Sequence, residues 1–106
     1  MTFTLHDLEK RVAERAAASA EVSYTRKLID RGTAHCAKKF GEEAVETVLA
    51  AVSEDHDRLI GEAADLLYHL LVVLKTRDVS LAEVEAALAE RLGRSGVEEK
   101  ASRPRA

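Results

Sequence analysis

Two pairs of carboxylates carry the chemistry this sequence can do: Glu43-x-x-Glu46 and, after fifteen intervening residues, Glu62-x-x-Asp65. Each pair has i, i+3 spacing, so in a helix both side chains leave one side about one turn apart. If the polar stretch between the pairs reverses the chain, the two helices lie antiparallel and the pairs converge. Four carboxylates around one point repel one another unless a cation sits among them. Hard oxygen donors of this kind suit Mg²⁺, with Mn²⁺ as a substitute.

The competing reading is a pair of solvated helix faces, and three features weigh against it. A stabilised surface helix places Lys or Arg four residues after Glu, but Glu43, Glu46 and Glu62 are followed at that spacing by Thr47, Ala50 and Leu66. Glu42 and Glu46 are a like-charge i, i+4 pair, offset only by Lys38 and Lys39 in the preceding turn. Thr47, Ala50 and Ala51 share the Glu43 side of their helix, and small residues there let another element come close, while Val45, Val48, Leu49 and Val52 form the opposite stripe. Finally, residues 61–74 are apolar nearly all round, which predicts a central helix with Glu62, Asp65, His69 and Val73 on one side. Burying two carboxylates without compensation costs more than a small domain can spare, and a divalent cation supplies the compensation.

The elements that must position these residues are helical. The chain has 106 residues, a third of them charged, with one Pro and five Gly; it suits one compact all-α domain. A net charge of −3 gives no global basic field for nucleic acid. A lone Cys36 excludes an intramolecular disulfide, fits a reducing cytoplasm, and reads as a small core residue. The N-terminus has no basic region followed by an apolar one, so no secretion signal is expected. The apolar run around His69 is about half the length needed to cross a bilayer, so no membrane partner is expected.

Thr4 caps a first helix, with Asp7 placed for a capping box and Leu5, Leu8 and Val12 on one face. It fades over residues 16–20. Ser23 caps a short helix to about residue 31, closed by Gly32. Thr33 starts a longer helix to about residue 52, with Gly41 inside it at a cost of about 1 kcal/mol relative to Ala. A glycine there permits close approach of a backbone or ligand. Asp55 or Asp57 caps the next helix, which runs to about residue 77. Ser80 and Glu83 form a capping box for a last helix through Leu92, with Leu81, Val84, Leu88 and Leu92 as its apolar face. The prediction is an antiparallel bundle of four to five helices over residues 1–94 and a flexible polar tail over 95–106.

The acidic pattern resembles that of the all-α nucleoside triphosphate pyrophosphatases, the superfamily of MazG-type and dimeric dUTPase-type enzymes. More specific are Ser23-Tyr24-Thr25-Arg26-Lys27-Leu28, Lys39-Phe40-Gly41-Glu42-Glu43-Ala44-Val45-Glu46, Gly61-Glu62-Ala63-Ala64-Asp65-Leu66-Leu67-Tyr68-His69-Leu70, and Ser95-Gly96-Val97-Glu98-Glu99-Lys100-Ala101-Ser102-Arg103. In that order these segments look like the phosphoribosyl-ATP pyrophosphatase family of histidine biosynthesis, and the match covers nearly the whole chain. Cys36, Lys38 and Arg26 depart from that family's usual residues, but none belongs to the acidic quartet. The resemblance implies the stand-alone form, without a fused cyclohydrolase domain.

It also implies a reaction: hydrolysis of phosphoribosyl-ATP to phosphoribosyl-AMP and pyrophosphate. Glu43, Glu46, Glu62 and Asp65 would be the Mg²⁺ ligands, and Glu42 would bind a second ion or take the proton from water. Glu43 and Glu42 are thereby the catalytic candidates. Lys27, Lys39, and Lys100 and Arg103 of the tail are either phosphate ligands or ordinary solvated charge. Tyr24 either stacks on a base or packs; His69 either bonds to Asp65 and substrate or is a satisfied core histidine. Superfamily members commonly pair as dimers, so a homodimer is expected, with the partner on the small-residue face around Ala50. A less selective pyrophosphatase and a non-catalytic helical dimerisation module are the competing functions.

Overall fold

The computed structural model describes residues 2–53 and 55–93. Among them are five helices and no strand: α1 (Leu5–Ala17), α2 (Tyr24–Asp30), α3 (Thr33–Ser53), α4 (His56–Thr76) and α5 (Leu81–Leu92). All-α bundle architecture is thus as the periodicity predicts.

Local chemistry sets the boundaries. The Asp7 amide donates to Thr4 Oγ1 at 3.1 Å and the Thr4 amide to Asp7 Oδ2 at 2.9 Å, the reciprocal box that starts α1. These bonds to its ionised form hold the Asp7 carboxyl below its usual range. The Ser23 hydroxyl accepts from the Arg26 amide at 3.1 Å and donates to the Arg15 carbonyl at 2.7 Å, so one side chain starts α2 and ties it to the end of α1. Gly32, at φ 96°, lets the chain turn straight into α3; a β-carbon is strained in that region. Asp55, rather than Asp57, caps α4, accepting from the Arg58 amide at 2.8 Å. Ser80 and Glu83 form the box that opens α5.

The core gathers Val12, Leu28, Cys36, Leu71, Val72 and Leu81, with Leu8, Ile29, Tyr68, Val73 and Leu74 against it. Each fully buried aliphatic contributes about 1.5–3 kcal/mol. Cys36 is a core thiol as expected: it is 1% exposed, and its Sγ donates to the Leu28 carbonyl at 3.1 Å.

Four expectations need correction. Helix α4 is not buried all round; Ile60 and Leu67 are exposed, and only its C-terminal half enters the core. That half packs with Val12 of α1 and Leu28 of α2. Helix α5 buries only Leu81; Leu88 and Leu92 face outward. It is held by its first turns, where the Leu81 amide donates to Glu9 Oε2 at 2.6 Å and Glu85 lies 2.9 Å from His6 Nε2. The face around Ala50 is not free for a partner: Ala50 is 1% exposed and its small side chain sits in the α3–α4 pair. The outward face of α3 is instead the stripe Val45, Val48, Leu49 and Val52. Lastly, a β-carbon on Gly41 meets nothing within 4 Å, so of the two readings of that glycine the close approach of a backbone is not met among the described residues. No helix among the described residues is long and apolar enough to cross a membrane.

Candidate metal and substrate site

Helices α3 and α4 run antiparallel: as the sequence descends from Thr47 to Glu43 on α3, its neighbours on α4 ascend from Glu62 to His69. The short reversal after Ser53 therefore lays the two acidic motifs against each other. Thr47 fixes the register. Its Oγ1 donates to the Glu43 carbonyl at 2.8 Å and lies 3.1 Å from the Glu62 carbonyl.

Carboxylate oxygens of Glu43, Glu62 and Asp65 come within 4.8 Å of one another. Glu62 is buried, Glu43 half-buried and Asp65 exposed, so the cluster opens to solvent on the Asp65 side. Glu46 is exposed and approaches the cluster from its rim. Its carboxylate is the leading cause of the raised Glu62 pKa, ahead of burial. Glu43 is also pushed above the usual carboxylate range, by desolvation first and by Glu46 and Asp65 next. Negative charge has been concentrated here against its own repulsion.

Partners for that charge are few. Arg58 Nε lies 3.2 Å from Glu62 Oε1, an i, i+4 ion pair on α4. Its basic residue comes before the acid, so a search four residues after each Glu misses it. Glu43 Oε2 and Glu62 Oε2 remain buried without a hydrogen-bond partner. Two carboxyl oxygens left unpaired at the seam of two helices fit an oxygen-coordinated cation, and the donor set is the one Mg²⁺ or Mn²⁺ prefers.

His69 lies under the cluster, 6% exposed, with Nε2 4.0 Å from Glu43 Oε1. It faces Glu43 rather than bonding to Asp65. Its Nδ1 has no partner, and burial holds its pKa below the ordinary imidazole value. Tyr68 points the other way, into the core, with its hydroxyl 2.6 Å from Thr25 Oγ1. Glu42 is exposed, 3.4 Å from Lys39 Nζ.

One turn before the acids, α2, the loop before it and α3 line an open, solvent-facing cavity of about 530 Å³. Tyr24, Lys27 and Lys39 line it, as do Arg31 and His35, which sequence reasoning passed over. The signal was present: His35, Lys39 and Glu43 recur at four-residue spacing along one face of α3. Lys100 and Arg103 lie outside the described residues, as does all of 94–106.

Residues 5–92 match the family model described as phosphoribosyl-ATP pyrophosphohydrolase, a match that contains both acidic motifs and the cavity residues. The chain belongs to that family. It is 65% identical over 101 residues to phosphoribosyl-ATP pyrophosphatase 1 of Bradyrhizobium diazoefficiens, with 95% of each chain covered. The enzyme of the same name from Rhodopseudomonas palustris is 64% identical over 103 residues, covering 97% of this chain and 96% of its own. Phosphoribosyl-ATP pyrophosphatase of Agrobacterium fabrum is 58% identical over 102 residues, covering 96% and 95%. Among the described residues, the acidic centre of this family member comes from α3 and α4.

Proposed function

We propose that this chain hydrolyses phosphoribosyl-ATP at the anhydride between the α- and β-phosphates, giving phosphoribosyl-AMP and pyrophosphate in the second step of histidine biosynthesis. The observation that carries the reading is the pair of buried, unpartnered oxygens on Glu43 and Glu62, facing each other across two helices of a chain in this family. Glu43, Glu46, Glu62 and Asp65 would hold Mg²⁺. When bound, the ion supplies neutralisation of phosphate charge and a lowered pKa for water.

The chain's own residues do the rest. One water is consumed across the anhydride, and Glu42, exposed beside the cluster, accepts its proton. The His69 ring lies behind Glu43, with Nε2 4.0 Å from Oε1. Lys39, one turn from Glu43, brings positive charge to the triphosphate, Lys27 adds charge farther along the cavity, and Tyr24, 55% exposed at the cavity mouth, offers a face for the base. Lys100 and Arg103, outside the described residues, would add positive charge for the bound substrate. A homodimer completes the assembly through the Val45, Val48, Leu49 and Val52 stripe, in the cytoplasm where the nucleotide substrate is made.

Pyrophosphate release from phosphoribosyl-ATP, ATP and other triphosphates in the presence of Mg²⁺ tests the reading. Release from phosphoribosyl-ATP alone supports it. Release from many triphosphates points to a less selective pyrophosphatase, and no release from any leaves only a helical dimerisation module.

A further inference from the structure

The family's substrate has two anionic ends: the triphosphate, and a monoester phosphate on the ribose attached to the adenine. The acidic centre addresses only the first. We propose that the cavity between α2 and α3 is the subsite for the second, with Arg31 and His35 joining Lys27 to hold the phosphoribosyl monoester phosphate and so to distinguish this substrate from ATP.

This rests on the functional reading above, and three observations carry it. The first is placement. Lys27 on α2 and Arg31 at its C-terminal cap stand four residues apart, His35 and Lys39 four apart on α3, and both pairs line the same cavity. The α3 row continues at the same spacing into Glu43, so Lys39 and His35 stand about 6 and 12 Å back along the helix axis from the acidic centre. One ligand can therefore lie along α3 from the carboxylates to Arg31.

The second is charge. The one acid in the lining, Asp30, is held by Arg26 at 2.8 Å, which lies outside the lining. Lys27 and Arg31 form no ion pair among the described residues. His35 titrates below its ordinary range through desolvation and the positive charge of Arg31, Lys39 and Lys38. A cavity with this surplus of cations in a chain of net charge −3 is built for an anion.

The third is size and lining. About 530 Å³ exceeds what a pyrophosphate group fills, and Ala20, Leu28 and the Tyr24 ring give the cavity apolar walls suited to a base and sugar. The leaving pyrophosphate has no use for them.

Ribose 5-phosphate and pyrophosphate, each titrated into the ¹⁵N-labelled full chain with Mg²⁺ present, separate the two ends. Ribose 5-phosphate is expected to shift the Arg31 and His35 amides. Arg31→Gln and the exposed Lys27→Gln should each weaken it about tenfold or more, while weakening pyrophosphate by clearly less. In turnover the same variants should raise KM for phosphoribosyl-ATP by a similar factor, with the smaller effect on kcat. Equal weakening of both probes, or ribose 5-phosphate shifts that bypass Arg31 and His35, would overturn the assignment. Turnover of phosphoribosyl-ATP without that binding removes the subsite alone; binding without turnover removes the functional reading and leaves a phosphate-binding cavity.

Discussion

Thr47 and Glu62 are joined across the α3–α4 seam: the threonine Oγ1 lies 3.1 Å from the glutamate's carbonyl while donating to the Glu43 carbonyl at 2.8 Å. A single hydroxyl thus sets the spacing of the backbone beneath two carboxylates whose oxygens must converge. Thr47→Val keeps the shape and removes the proton. A lost part-buried hydrogen bond costs about 1 kcal/mol, which lowers Tm by about 4–8 °C in a domain of this size. Turnover should fall further than stability alone explains, and Thr47→Ser should restore both. A Thr47→Val enzyme with wild-type kcat at a reduced Tm would leave the hydroxyl a stabilising role and no part in aligning the site.

Glu62→Gln separates catalysis from stability, because the two should move in opposite directions. The amide removes a buried negative charge that Glu46, Glu43 and desolvation all disfavour. The metal-free variant should therefore melt higher than the metal-free wild type. The gain in Tm on adding Mg²⁺, which mass action grants to any ligand of the folded state, should shrink or vanish, and turnover should drop more than about a hundredfold. Thermal melts with and without Mg²⁺ read both effects. A metal-free variant less stable than wild type would place Glu62 in a structural ion pair with Arg58 instead.

The sequence is most informative where local chemistry decides the outcome. Thr4, Ser23, Asp55 and Ser80 each cap a helix because a short oxygen side chain satisfies an otherwise unpaired amide, and that depends on neighbours three residues away. The converging acids were legible for a related reason: i, i+3 spacing on each side of a short reversal leaves antiparallel helices little choice of register. What a period cannot tell is which of two usable faces turns inward. On α3 both the Ala50 side and the Val48 side fit a helix interface, and α4 takes the one that lets the axes close up. The α2–α3 cavity escaped because its cations come from two helices, and their meeting is a tertiary fact. Arg31, one residue past the end of α2, belongs to no helical repeat.

The raised pKa values of Glu43 and Glu62 give the metal-free protein a pH dependence of definite sign. Folded carboxyls that titrate above the ordinary 4.5 hold protons that the unfolded chain has released. Their contribution to stability is full below 4.5 and is lost as pH rises through the folded values. Asp7 and Glu83, lowered by their capping bonds, act oppositely: their stabilisation exists above their unfolded values and fades as pH falls. The difference in stability between wild type and Glu62→Gln isolates the cluster, and it should widen as pH rises from 4.5, with the variant gaining. Mg²⁺ affinity of the wild type should climb over the same interval, since ligation needs the ionised form. Denaturant unfolding and metal titration across that range measure the two trends. A stability difference independent of pH would mean the carboxylates do not feel one another.

The stripe on α3 carries the last prediction. Val45, Val48, Leu49 and Val52 are 59%, 61%, 55% and 82% exposed, at the i, i+3, i+4, i+7 spacing of a single helix face. An unbroken apolar row of this kind on a small charged domain marks a protein contact, and a second copy of the same helix is self-complementary about a two-fold axis. Val48→Glu puts a charge at the middle of the row in each subunit, so the two charges meet at any symmetric contact through it. The side chain is exposed in the single chain, so the fold itself should be unaffected. Sedimentation velocity should show a dimer for the wild type and, for the variant, association weakened by more than about tenfold in Kd. Ala50→Glu is the contrasting case: it drives a charge between α3 and α4 and should unfold the chain. A Val48→Glu protein that remains dimeric at wild-type affinity would move the interface to another surface, where the exposed Leu88 and Leu92 of α5 are the next candidates.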